Sequence, residues 1–391
     1  MSVTTAAGFV ASGVTAGLKA SGRPDVALVV NEGPLRVAAA VFTSNRVFAA
    51  PVAWSRQVLA DGRVDAVVLN SGGANAATGA EGFADTHRTA EYVAAALQAD
   101  GRDVSAADVA VCSTGLIGLR LPMDTLLGGV DAATAALDAD GGDAAAHAIL
   151  TTDTVTKQAA VVQEGWAVGG MAKGAGMLAP GLATMLCVIT TDAVVDAGTA
   201  NVALSQAVRT TLNRVDSDGC MSTNDTVLLM VSGASGVSPA PDAFEEALTE
   251  VCAQLARGLI ADAEGATHDI AITVSGATSE EAAEAVGRAI ARSNLFKAAV
   301  FGGDPNWGRV ISAAGTVPEH VAPFDATAID VSINGVQVCR AAGVGDDRDL
   351  VDLTPREVLV EVNLHAGAAS ATIWTNDLTH DYVHENSAYS T

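Results

Sequence analysis

Long apolar runs are missing from this chain of 391 residues. No stretch of about 18 or more apolar residues occurs, so no transmembrane helix is expected. The start, MSVTTAAGFVASG, lacks a basic segment followed by a long apolar one, and no signal peptide is expected there. Positive charge is also scarce. The 21 Lys and Arg stand against 45 Asp and Glu, a net charge of −24. A field of that sign repels phosphate backbones and anionic lipid, which argues against nucleic-acid and membrane partners. An anionic small substrate would need its own local cation. Cysteines are few, odd in number, far apart and without a CxxC pair: Cys112, Cys187, Cys220, Cys252 and Cys339. Buried thiols in a reducing cytoplasm are the simplest account. Aromatic residues make up 4% of the chain, so its core must be built mostly from Ala, Val, Leu and Ile.

Several functional signatures are absent as well. There is no G-x-S-x-G nucleophile elbow and no G-x-x-x-x-G-K-[ST] phosphate loop. The segment RVDSDGCMSTND has Asp216, Asp218 and Gly219 at calcium-loop offsets. Arg214 takes the first ligand position, however, and Asp225 stands where a bidentate Glu is needed. His380 and His384 in HDYVHE have helical spacing for zinc but lack the H-E-x-x-H pattern. No metal is expected.

With 49% hydrophobic residues, the chain has a globular composition and the length of one large or two ordinary domains. Helix and strand signals alternate along it. Buried strands are expected at 66–69, 109–112 and 185–190, with helices at 84–98 and 201–214. Phe244, Leu248, Val251 and Leu255 fall on one helix face, and Asp242 with Glu245 reads as its capping box. Ile270, Ile272 and Val274 alternate as in a half-buried strand, after which Thr278 and Glu281 read as the start of a helix. The segment 138–143, DADGGD, reads as a loop. The expected fold is α/β (α+β), with helices layered on sheets.

The segment MAKGAGMLAPGLATMLCVITTDA, residues 171–193, raises a chemical question. A glycine- and proline-broken stretch runs into an apolar strand, with Thr184 at the junction. A β-branched residue is ordinary at a strand start. Yet a break in the chain just before Thr184 would give its hydroxyl a neighbouring base. A free α-amine has an unperturbed pKa of about 7.7–8.0, low enough to accept a proton near neutral pH. Ala183 is small and leaves its carbonyl accessible, while Pro180 and Gly181 permit a tight turn. The threonine hydroxyl can attack that carbonyl and shift the acyl group from nitrogen to oxygen, after which water frees the ester.

That segment resembles the self-cleavage and nucleophile region of the ornithine acetyltransferase family, also called bifunctional glutamate N-acetyltransferases. The resemblance runs through LNSGGANAATG (69–79), CSTGLIG (112–118), TTDT (151–154) and STNDTVLL (222–229). It continues through DAEGATHD (262–269), GGDPNWGRV (302–310) and ENSAYST (385–391). Two departures stand out: His268 where the family often has lysine, and Cys220-Met221 in a variable stretch. The resemblance implies a layered helix–sheet sandwich of that family's type, similar to N-terminal-nucleophile enzymes. It also implies cleavage between Ala183 and Thr184 into an α chain, 1–183, and a β chain, 184–391, which together form one globular catalytic unit. Thr184 is then the nucleophile, and Thr114 with Gly115 the oxyanion hole. Thr151, Lys173, Thr184, Glu264, Asn386 and Thr391 are the implied substrate-binding positions. Each also has an ordinary reading: Lys173 as a solvated loop lysine, Thr114-Gly115 as a strand exit, Glu264 as a surface group and Asn386 as a turn residue.

The implied reaction is acetyl transfer from N2-acetyl-L-ornithine to L-glutamate through an acetyl-threonine ester, part of cyclic arginine biosynthesis. It requires no metal or organic cofactor, and acetyl-CoA is a second donor in the family members that accept it. A cytoplasmic heterotetramer of two α and two β chains is implied. An N-terminal-threonine amidohydrolase or aminopeptidase with water as acceptor is the alternative enzyme. An uncut, non-enzymatic binding protein is the third reading.

Overall fold

The computed structural model describes residues 1–179 and 185–388 and divides into two compact units. Among the described residues, the first comprises those within 1–213 and 220–259. The second comprises 214–219 and 260–390.

Among its described residues the first unit holds nine strands: β1 (Phe9–Val14), β2 (Val26–Asn31), β3 (Val37–Phe42), β4 (Ala66–Asn70), β5 (Val109–Ser113), β6 (Lys157–Gln163), β7 (Trp166–Lys173), β8 (Leu186–Thr191) and β9 (Thr226–Val231). They form a four-stranded sheet in the order β1-β2-β4-β5 and a five-stranded sheet in the order β3-β9-β8-β7-β6. Its helices are α1 (Ala50–Val58), α2 (Gly79–Ala99), α3 (Met123–Ala135), α4 (Gly142–Ala148), α5 (Ala197–Thr210) and α6 (Pro241–Ala261), whose last two residues belong to the second unit.

Alternation along the strands decides the layering. Ala27, Val29, Val67, Leu69, Ala110 and Cys112 pack with Met171, Leu186, Val188, Leu228 and Met230 of the other sheet. Their neighbours Leu28, Val68 and Val111 point the opposite way, against Val93 and Leu97 of α2 and Leu126 and Val130 of α3. Burying each such Val or Leu contributes about 1.5–3 kcal/mol relative to exposure. On the outer face of the five-stranded sheet, Gly170 leaves room for Val251 and Leu255 of α6; a Cβ there would lie 3.2 Å from both. The result is a helix–sheet–sheet–helix sandwich.

The second unit has a six-stranded sheet of β10 (Asp269–Ala277), β11 (Asp330–Ile333), β12 (Val336–Arg340), β13 (Gly343–Val344), β14 (Glu357–Asn363) and β15 (Ala369–Asn376), in the order β13-β12-β11-β14-β10-β15. Its core joins that sheet to α7 (Glu280–Ala291), α8 (Asn294–Phe301) and α9 (Trp307–Ala314). The last helix is α10 (His380–Ala388). No helix among the described residues is long and apolar enough to cross a membrane.

The mixed α/β class and the expected strands are present, and Phe244, Leu248, Val251 and Leu255 are all buried on α6. Several boundaries differ. The 84–98 helix begins at Gly79, because glycines in GAEG weaken the apolar pattern of its first turn. The 201–214 helix is Ala197–Thr210, capped by Asp196, which accepts from the Thr199 N–H at 3.0 Å. Thr211 leaves the helical region and a short 3₁₀ turn covers Leu212–Arg214. Asp242 is no cap, since Pro241 already occupies the first turn of α6; its carboxylate instead favours the helix dipole. Ser279 caps α7 in place of Thr278, accepting from the Ala282 N–H at 3.1 Å. The 138–143 loop ends two residues early, where α4 begins at Gly142. All five cysteines are free thiols, and Cys220 is exposed while the other four are buried.

Candidate active site

Strands β4 and β5 run parallel with Asn70 opposite Ser113, so both end at the same sheet edge. The turns that follow are NSGGAN and STG. They meet in an isolated bridge: the Gly73 N–H donates to the Thr114 carbonyl at 3.0 Å, and the Thr114 N–H to the Asn70 carbonyl at 2.9 Å. The Asn70 amide donates to the Gly73 carbonyl at 3.0 Å and accepts from the Ser113 hydroxyl at 2.5 Å. Gly115 has φ +128°, and a Cβ there would sit 2.8 Å from the Gly73 nitrogen. Only glycine fits without moving backbone. Thr114 and Gly115 thus form a rigid corner at this sheet edge.

The five-stranded sheet brings a second set of groups to one end. Lys173 closes β7 opposite Leu186, which lies opposite Thr226. The end of β7 and the starts of β8 and β9 are therefore side by side. Asn224 links this end to the corner: its amide donates to the Ala74 carbonyl at 2.6 Å and to the Ser113 carbonyl at 2.7 Å. Thr184, Ala183 and Thr391 lie outside the described residues. Met185, the next residue after Thr184, is buried here. Its N–H donates to Asp225 Oδ1 at 3.0 Å, and its carbonyl accepts from the Thr226 N–H at 3.1 Å.

Lys173 is 1% exposed and so is no solvated loop lysine. Its ammonium lies 3.8 Å from Asp153 Oδ2, while Lys157 reaches Asp153 Oδ1 at 2.5 Å. Asp153 also accepts from the Gly174 N–H at 2.6 Å and from the Thr151 N–H at 3.0 Å, with the Thr151 hydroxyl at 3.4 Å. Burial alone would push the Asp153 carboxyl up. Lys173 and Lys157 outweigh that effect and hold it well below the usual carboxylate range. Lys19 bonds the carbonyls of Pro24 and Leu150 at 2.8 and 2.6 Å. Burial first, and then the Arg23 charge, lower its pKa to about 8. Two buried ammonium groups therefore face the Asp153 carboxylate.

In the second unit, the Asn386 amide donates to Glu264 Oε2 at 2.9 Å and to the Tyr382 carbonyl at 3.0 Å. Asn386 is therefore a residue of α10 and not of a turn, and Glu264 is buried rather than spread on the surface. His268, where the resemblance led to an expectation of lysine, bonds Asp377 at 2.7 Å and the Leu353 carbonyl at 3.0 Å. It serves local structure. His380 and His384 are exposed on α10. Asp153, Lys157, Asn224 and Asp225 escaped the residue-by-residue reading. TTDT and STND contain three of the four, but nothing local marks their long-range partners.

Residues 10–391 match the model of the ArgJ family. The chain belongs to that family. An arginine biosynthesis bifunctional protein ArgJ of Streptomyces coelicolor is 62% identical over 390 residues, covering 100% of both chains. Its counterpart in Bifidobacterium longum is 57% identical over 394 residues, again covering 100% of both. A solved ornithine acetyltransferase from Mycobacterium tuberculosis, complexed with ornithine, is 61% identical where it matches. That match covers 47% of this chain and 96% of the other, with a TM-score of 0.46. As an ArgJ-family member, the chain is an acetyltransferase of arginine biosynthesis.

Proposed function

We propose that the chain moves the acetyl group of N2-acetyl-L-ornithine to L-glutamate through an ester on Thr184. The Thr184 hydroxyl first attacks the Ala183 carbonyl, and hydrolysis of the resulting ester leaves Thr184 as a new N-terminus. Its free amine then takes the hydroxyl proton as Oγ attacks the acetyl carbonyl. The Thr114 hydroxyl and Gly115 N–H receive the negative charge that develops on the acetyl oxygen. The C–N bond breaks, the amine returns the proton to the leaving nitrogen, and ornithine departs. The glutamate amine attacks the ester, and Thr184 regains its proton as N-acetylglutamate leaves. The ester carries the acetyl group, so the transfer needs no metal or organic cofactor. Acetyl-CoA as a second donor would load the same hydroxyl.

Lys173 takes the substrate carboxylate in this reading, with Thr151 beside it. Glu264, oriented by Asn386, takes an ammonium group, and Thr391 is a further binding position. The mature protein is an α chain, 1–183, and a β chain, 184–391, paired as α₂β₂ in the cytoplasm. One observation carries the reading most directly. The Asn224 amide ties the Thr114-Gly115 corner to the sheet end where Lys173 finishes β7 and Met185 leads into β8.

Partitioning of the acetyl group tests this proposal. With acetylornithine and glutamate, N-acetylglutamate is expected to exceed free acetate at least tenfold; without glutamate, an acetyl-enzyme should be visible by intact mass. Acetate as the main product in both reactions would instead favour the amidohydrolase. Thr114→Ala removes one donor to the oxyanion and is expected to lower kcat by about 10²–10³, leaving KM within a few fold. Steady-state kinetics on the cleaved protein provide the measurement.

A further inference from the structure

Asp225 is fully buried, yet the mechanism above gives it no task. Its Oδ1 accepts the Met185 N–H at 3.0 Å, and its Oδ2 has no hydrogen-bond partner among the described residues. Met185 N is the amide of the peptide bond whose carbonyl belongs to Thr184. A few covalent bonds therefore separate the Asp225 contact from both the Thr184 nitrogen and its hydroxyl. The contact also comes before the β8 ladder, which begins with Lys173 opposite Leu186.

We propose that Asp225 is a positioning residue for the nucleophile, its sealed carboxyl anchoring the Met185 N–H and thereby fixing the peptide unit that presents Thr184. This rests on the reading of Thr184 as nucleophile and adds the residue that aims it. Burial of an unpaired charge is costly, whereas a neutral acid in the same place is a compact acceptor and donor. Burial pushes the Asp225 carboxyl well above the usual range, outweighing the Met185 N–H, the Ser222 hydroxyl and the Lys173 charge. A neutral Asp225 has the same shape and the same acceptor as asparagine. The two residues should therefore be interchangeable here, although they would not be for a proton-accepting carboxylate. A misplacement of about 1 Å in a reacting group can cost on the order of 10²-fold.

The test uses the full chain in three variants, following cleavage by gel and transfer by steady-state kinetics. Asp225→Ala is expected to slow self-cleavage roughly 100-fold. It should also lower kcat per acetylatable site, counted by intact mass, with KM within about twofold. Asp225→Asn is expected to restore both rates to within a few fold of wild type. If Asp225→Ala does not fold, Asp225→Glu, which displaces the acceptor by a methylene, replaces it with the same expected losses. An asparagine variant as defective as the alanine one would overturn the proposal, as would normal rates in the alanine or glutamate variant. A drop only in the number of acetylatable sites, at normal kcat per site, would mark mere misfolding and also overturn it. Thr184→Ala is the control: cleavage of that variant would sink the underlying nucleophile assignment and not the role of Asp225 alone.

Discussion

Thr184→Ala is expected to run as one uncut band of 39 kDa on a denaturing gel, where the wild type gives two shorter ones. Transferase activity should fall on the order of 10⁴-fold or more, the scale seen when a nucleophile is removed from an acyl-transfer site. Two losses combine in this variant. Without the hydroxyl there is no attack on the Ala183 carbonyl, so no free amine appears. Even a chain supplied already cut would have nothing to hold the acetyl group. Thr184→Ser keeps the hydroxyl but loses the methyl that restricts its rotamer, and should cut and turn over at altered rates. Two bands from the alanine variant would refute self-processing by this residue.

Asp153→Ala should have the largest effect on stability. It removes a fully buried carboxylate that both Lys157 and Lys173 contact. Breaking such a buried pair typically costs about 3–5 kcal/mol, because the remaining charge has no partner. Denaturant unfolding should show that loss. Lys157→Met in the same background should recover part of it by removing one of the two buried ammonium groups. The acid side provides an independent check. The Asp153 carboxyl is held below its unfolded value near 3.9, so its stabilisation is complete above about pH 4 and fades as the pH falls further. The gap between wild type and Asp153→Ala should therefore narrow below about pH 4. A constant gap down to pH 3 would exclude the ion cluster as the cause.

Local pattern carried the strands well. AVVL and VAVC are short apolar runs buried on both faces, and their sequence alone gives them away. Helix starts were harder, because Asp196 and Ser279 each compete with polar neighbours as caps and only the hydrogen bond selects one. Thr114, Gly115, Thr151 and Lys173 were named as candidates through the family resemblance. Their environment was not legible: the Asn224–Ser113 bond spans 111 residues and the Asp225–Met185 bond 40. Such pairs exist only once two sheets have stacked. The division into two units was hidden for a similar reason, since residues 214–219 sit with a body that resumes at 260.

The strand order β3-β9-β8-β7-β6 has a consequence for a chain cut at the proposed site. A break before Thr184 assigns β8 and β9 to one polypeptide and the strands flanking them, β7 and β3, to the other. Each piece is then laced into the other along two ladders, and dilution alone will not part them. Once unfolded and separated, however, the pieces must find each other again. Refolding becomes second order, so the melting midpoint of the cut protein should rise with protein concentration while that of an uncut variant stays fixed.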